Sequence, residues 1–159
     1  MSRLPSLGRQ GEGWLVLQLL LMAGIVGSSL FFEPFLRDTP RLVVGGLGLA
    51  MVVAGVGLVA LAAGRLGPAA TPLPRPKPGS QLVADGPYRH VRHPIYVGVV
   101  LSAIGWALLT ASLPALILVG LLAVLLDLKA RREEVWLTES HPGYDEYRRR
   151  TRRFLPRLY

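Results

Sequence analysis

The chain has 159 residues, 51% of them hydrophobic, and its mean hydropathy of +0.41 exceeds what a soluble domain needs, which indicates one integral membrane domain over residues 1–159. Cysteine is absent, which excludes disulfides, thiolate metal ligands and a cysteine nucleophile. The net charge of +8 leaves two kinds of acidic partner to consider, nucleic acid and the anionic membrane surface.

Four apolar runs predict an all-α protein with four transmembrane helices. A helix rises about 1.5 Å per residue, so runs of about 20 residues can cross a hydrocarbon core about 30 Å thick. The first run exceeds the usual hydrophobic region of a signal peptide, so we expect it to be a retained span. Pro114 suits the first turn of a new helix, which makes the last two runs a tight helical hairpin. The predicted spans are 14–32, 42–63, 95–113 and 115–128.

The basic residues predict the orientation of these spans. With both termini in the cytoplasm, only Arg37 and Arg41 of the 18 basic residues lie outside, which leaves 16 inside. The positive charge thus has a membrane explanation, and we expect no nucleic-acid partner. The run RRRTRR, Arg148 to Arg153, could contact anionic membrane lipids. We expect a bacterial or archaeal cell membrane.

Small residues in the second run predict a surface for helix packing. Gly46, Ala50 and Ala54 recur at a spacing of four and would let a neighbouring helix approach closely. The run follows no strand and lacks the G-x-G-x-x-G spacing, so we predict no nucleotide-binding loop there.

Two polar blocks, 65–93 and 129–159, fall on the same side of the predicted bundle. The first begins with a proline-rich linker, and the second is expected to form a cytoplasmic helical segment. The hairpin brings Arg92 and His93, before the third span, close to Glu133 and Glu134, after the fourth. Ionisable groups at this depth are costly unless they are paired or bind a ligand, so we predict a functional site here.

Structural roles are the alternatives for these residues. His90 and His93 have a spacing that could hold a metal, but Pro94 argues against a helix through both, and we predict no metal site. The glutamates could simply pair with neighbouring cations, as Glu133 could with Lys129 one turn earlier. The aromatic residues Trp136, Tyr144 and Tyr147 are predicted to pack, and Tyr88 and Tyr96 could be interfacial anchors.

The motif GPYRHVRHPIYVG, followed by a helical hairpin, REEVWL and YDEYRRRTRRFLP, resembles the isoprenylcysteine carboxyl methyltransferase and phospholipid N-methyltransferase family of integral membrane enzymes. The resemblance covers 86–156, nearly half of the chain. It implies S-adenosylmethionine as the methyl donor, held between segments 86–98 and 129–156. It also implies the cofactor-binding residues Gly86, Tyr88, His93, Tyr96, Gly98, Glu133 and Glu134, and the catalytic residues Arg92, Glu134 and Arg150.

The implied reaction is methyl transfer to a lipophilic acceptor, either a lipid or a small molecule. The sulfonium already carries an activated methyl group, so the protein has chiefly to align donor and acceptor and to exclude water. A carboxylate acceptor, as in isoprenylcysteine O-methylation, needs no general base. A phospholipid amine or a small thiol must lose a proton, for which His93 or Glu134 is a candidate base. A weaker alternative is a non-catalytic protein that binds anionic lipid.

Overall fold

The computed structural model describes residues 5–36 and 38–155. It contains five α-helices: α1 (Glu12–Phe31), α2 (Asp38–Leu66), α3 (Pro94–Leu109), α4 (Leu113–Ser140) and α5 (Tyr144–Arg150). Arg37, which we assigned to the external loop, and residue 156, at the end of the predicted cofactor segment, lie outside the described residues.

The all-helical membrane architecture predicted from the sequence is confirmed. Among the described residues, three helices are long and apolar enough to cross a membrane, namely α1, α4 and α2 with the short 3₁₀ helix that follows it. The third predicted span is shorter than expected, because α3 has only 16 residues. Large apolar side chains such as Leu20, Leu42, Leu61 and Ile117 are each more than 60% exposed, as expected for helices that face lipid.

The hairpin between α3 and α4 forms at the predicted proline. Ser112 caps α4 by accepting a hydrogen bond from the Ala115 N–H at 3.3 Å, and Pro114 lies in the first turn. The helix then continues to Ser140, well beyond the predicted end at residue 128, because no proline or glycine occurs between that residue and Pro142. The residues Glu133 and Glu134 therefore lie on the same rigid helix as the apolar span.

The packing surface that we predicted on α2 was wrong by about half a turn. A Cβ added at Gly46 would meet no atom of the described residues within 4 Å, and Ala50 and Ala54 are exposed. The buried glycines are instead Gly45, Gly48 and Gly55, of which Gly48 and Gly55 approach the backbone of α3 at Gly105 and Gly98. The apolar core lies between α1, α3 and α4 and contains Ile25, Ala107, Ala115, Val119, Leu122 and Leu126.

The close contact between α2 and α3 leads to a prediction. A Cβ added at Gly48 would lie 2.5 Å from the Leu109 nitrogen and 2.6 Å from the Gly105 oxygen, and backbone atoms cannot move aside. We expect Gly48→Ala to lower the free energy of unfolding in detergent by about 1–3 kcal/mol through overpacking. Gly46→Ala, one half-turn away on the open face, is the matched control and should not destabilise the protein. Equal melting temperatures for the two variants would contradict the assigned packing face.

Candidate functional site

Glu134 lies at the centre of a buried cluster of charged side chains at one end of the bundle. Its Oε1 accepts hydrogen bonds from Arg92 Nε at 2.9 Å and Arg153 Nε at 3.1 Å, and Oε2 accepts one from a terminal nitrogen of Arg153 at 3.0 Å. His93 Nε2 lies 3.3 Å from the same Oε1. The side chain of Glu134 is only 5% exposed, so two guanidinium groups compensate a carboxylate that has lost its water.

Arg92 also attaches the C-terminal segment to the start of α3. Its Nη1 donates to the carbonyl oxygen of Arg148 at 3.2 Å and to that of Thr151. The backbones pair beside it, because the Arg92 N–H donates to the Arg152 carbonyl at 2.8 Å and Val91 forms a parallel bridge with Arg152. The two motif segments are thus held together by backbone and side-chain bonds.

His93 lies between the two glutamates. Its Nδ1 is 3.8 Å from Glu133 Oε2, and its ring stacks on Tyr96 at a centroid distance of 5.2 Å. The Tyr96 hydroxyl donates to Glu133 Oε2 at 2.7 Å. Because α3 begins at Pro94, His90 and His93 do not share a helix. No group of three or more potential metal-ligating side chains occurs in the part of the chain that the structure describes.

A cavity of about 200 Å³ opens beside this cluster. Five of the residues predicted from the motifs line it, namely Tyr88, Arg92, His93, Tyr96 and Glu133. The proline-rich linker forms the opposite wall, where Pro72 and Ser80 contribute backbone oxygens that accept from Lys129 and contact His141. Polar groups from α1, α3, α4, α5 and the linker therefore meet around one space.

The other predicted site residues lie outside the cavity wall. Glu134 lies behind it, in the charged cluster, and Gly86 packs against Arg65. Gly98 faces α2, where an added Cβ would lie 2.7 Å from the Gly55 oxygen. The side chain of Arg150 is 74% exposed and pairs with Glu146, so the structure does not bring it to the cavity. The functional roles of these four residues stay predictions.

Sequence reasoning missed Lys129 and Gln18 as cavity residues. Lys129 is 1% exposed, and its Nζ donates to Gln18 Oε1 at 2.7 Å and to the Pro72 oxygen at 3.0 Å. The suggested pairing of Lys129 with Glu133 is not a direct one, since the two charges attract each other but form no salt bridge within the described residues. Both missed residues are polar and lie inside or next to apolar runs, and this position in the sequence could have identified them as candidate site residues.

Three tyrosines of the cavity wall remain neutral at physiological pH. Burial raises the pKa of Tyr147 to about 12 and raises the pKa of Tyr88 and Tyr144 well above the ordinary value. The Tyr147 hydroxyl donates to the Tyr88 carbonyl at 2.7 Å. The buried Tyr144 hydroxyl has no hydrogen-bond partner among the described residues, which leaves it available to a ligand.

Comparisons with known proteins place this chain in a family. A family model described as phospholipid methyltransferase matches residues 43–142. The nickel-cobalt-cadmium resistance protein NccN of Alcaligenes xylosoxydans xylosoxydans is 32% identical over 152 residues, which cover 94% of this chain and 65% of that protein. The cobalt-zinc-cadmium resistance protein CzcN of Cupriavidus metallidurans is 38% identical over 78 residues, 48% of this chain and 36% of that protein. The matched regions therefore span less than two thirds of each relative's length.

Proposed function

Because the chain belongs to the phospholipid methyltransferase family, within the group of membrane methyltransferases that includes the isoprenylcysteine carboxyl methyltransferases, we propose that it transfers a methyl group from S-adenosylmethionine to a lipophilic acceptor. The reaction most like it is isoprenylcysteine carboxyl O-methylation. Phospholipid N-methylation and small-thiol S-methylation are the alternatives, and binding of anionic lipid without catalysis is a weaker one.

The observation that supports this proposal is the polar cavity at one end of an otherwise apolar bundle. Its wall combines carboxylate, imidazole, phenol and ammonium groups, all held by helices or by the backbone pairing between the motif segments. Methyl transfer from a sulfonium depends mainly on positioning and on the exclusion of water. A rigid, partly enclosed polar space beside the membrane suits that requirement.

In this proposal the donor contacts residues of both motifs. Glu133, Tyr88 and Tyr96 offer a carboxylate and two phenol rings to the cavity and can bind its polar groups directly. Glu134 acts indirectly, since it positions Arg92 and His93 through the charged cluster. Gly98 acts through packing, because only glycine lets α3 lie against α2 at this point.

An apolar groove next to Tyr96 supports a lipophilic acceptor. The groove has a volume of about 300 Å³ and lies between α3 and α4, where Val100, Ile104, Ala123 and Leu126 form its floor. Tyr96 lines both this groove and the polar cavity. A hydrocarbon chain in the groove would therefore place its polar end near the methyl donor.

The residues around the cavity determine which acceptors could be methylated, because some acceptors must first lose a proton. A carboxylate can accept the methyl group without losing a proton, whereas an amine or thiol acceptor needs a base. His93 is the candidate base, because it lines the cavity and contacts both glutamates.

Purified protein in detergent should bind S-adenosylmethionine and transfer its labelled methyl group. We expect saturable calorimetric binding, followed by transfer to a prenylcysteine analogue in preference to phosphatidylethanolamine. If the methyl group is transferred to phosphatidylethanolamine alone, the acceptor is an amine and the proposed carboxylate acceptor is wrong. A folded protein that binds anionic vesicles but not S-adenosylmethionine would contradict the enzymatic proposal and favour the lipid-binding alternative.

A further inference from the structure

Lys129 is a buried cation in the cavity wall whose partners are both uncharged. Its hydrogen bonds go to the amide oxygen of Gln18 on α1 and to the backbone oxygen of Pro72 in the linker. The Tyr96 ring lies 5.3 Å from its Nζ. An ammonium has three N–H donors, so these two hydrogen bonds leave one donor for another acceptor.

This arrangement differs from that of the other buried cations. Arg92 and Arg153 are each paired directly with the carboxylate of Glu134, but Lys129 forms no salt bridge within the described residues. Removing an ammonium from water costs several kcal/mol unless an anion compensates it. Glu133 attracts this ammonium from a distance without forming a salt bridge, so the charge of Lys129 is only partly compensated, and it faces a cavity.

Glu133 lies one helical turn after Lys129 and lines the same cavity. Its Oε2 accepts from Tyr96 and faces His93, and no hydrogen bond to Oε1 occurs within the described residues. Opposite charges at this spacing normally pair on a helix. Here Gln18 and Pro72 hold the ammonium and Tyr96 holds the carboxylate, so a positive and a negative group stand separately in one wall.

We propose that Lys129 binds the carboxylate and Glu133 the ammonium of an α-amino acid group in the cavity. This inference rests on the proposed function, in which that group is the methionyl end of S-adenosylmethionine. The two charges of the zwitterion are adjacent on one carbon, and a lysine and a glutamate one turn apart can contact both. The adenosine part then lies toward the tyrosines of the cavity wall.

The test compares S-adenosylmethionine with its decarboxylated form, which keeps the sulfonium and the amine. We expect the wild type to bind S-adenosylmethionine about 10- to 100-fold more tightly, the value of one charge-assisted hydrogen bond. Lys129→Gln should abolish that preference by lowering the affinity for S-adenosylmethionine alone. Lys129→Met, which introduces no amide, should have the same effect. Lys77→Gln, at the exposed and only other lysine of the chain, is the matched control and should preserve it.

The possible failures are distinguishable. If a folded Lys129 variant binds both ligands equally less tightly and has a lower melting temperature, the lysine has a structural role. That result would overturn this inference but not the proposed function. A variant that retains the wild-type preference would also overturn it. Wild-type protein that binds neither ligand would overturn the proposed function and this inference together.

Discussion

Replacing Glu134 with alanine should lower the free energy of unfolding by about 3–5 kcal/mol, because the change removes the carboxylate that pairs with Arg92 and one of the two carboxylates that pair with Arg153, the other being Asp127. The side chains of Arg92 and Arg153 are only 8% and 15% exposed, so water cannot replace the lost partner cheaply. Denaturant titration in detergent measures the change. Glu134→Gln keeps the shape and one acceptor oxygen and should fall between alanine and wild type.

The control for this prediction is Glu146→Ala. Glu146 also pairs with an arginine, Arg150, but the two side chains are 56% and 74% exposed. An ion pair in water contributes about 0–1 kcal/mol, so the control should remain close to wild type. If both alanine variants unfold at the same denaturant concentration, the cluster around Glu134 does not stabilise the fold as argued.

Replacing Arg92 with lysine should reduce methyl transfer by about 100-fold, although the charge is retained. Lysine cannot reproduce a guanidinium that bonds Glu134 and two backbone carbonyls of the C-terminal segment at once. The segment that carries α5 and its tyrosines would then lose its fixed position, and small misplacements of reacting groups cost about this much. Initial rates with labelled S-adenosylmethionine measure the loss, and limited trypsin digestion reports the loosened segment.

Arg150→Lys is the control for Arg92→Lys and also tests a prediction from the sequence. Arg150 was predicted to be catalytic, yet its side chain is exposed and pairs with Glu146, away from the cavity. We expect unchanged transfer and unchanged digestion in this variant. A loss at Arg150 as large as that at Arg92 would support its catalytic role and contradict the assignment of positioning to Arg92 alone.

Elements that depend on local sequence were predictable. Uncharged runs marked the helices, and Pro114 marked the hairpin, since it lies in the first turn of α4. The ends of α2 and α4 were missed because polar residues continue both helices beyond their apolar parts. Hydropathy indicates where a helix lies in lipid, but helix-breaking residues determine where it ends.

Contacts between residues far apart in the sequence were predictable only where the topology of the helices brings them together. The hydrogen bond between Lys129 and Gln18 joins residues 111 positions apart, and the bridge between Val91 and Arg152 leaves no periodic pattern. The meeting of Arg92, His93 and the two glutamates was predictable, because the topology alone places helix ends at one face. The burial of Glu134 behind the cavity depends on side-chain packing, which cannot be predicted from the spacing of residues in the sequence.

The shortness of α3 has a consequence for the surrounding lipid. Sixteen residues span about 24 Å, whereas the hydrocarbon layer is about 30 Å thick. Such negative hydrophobic mismatch is relieved when the bilayer thins locally or flanking side chains reach outward. The residues that precede α3 include Arg92 and His93, so a lipid next to this helix would be drawn toward the charged cluster. On the proposed function, this deformation of the membrane would bring the head group of a lipid acceptor near the methyl donor without extracting the lipid.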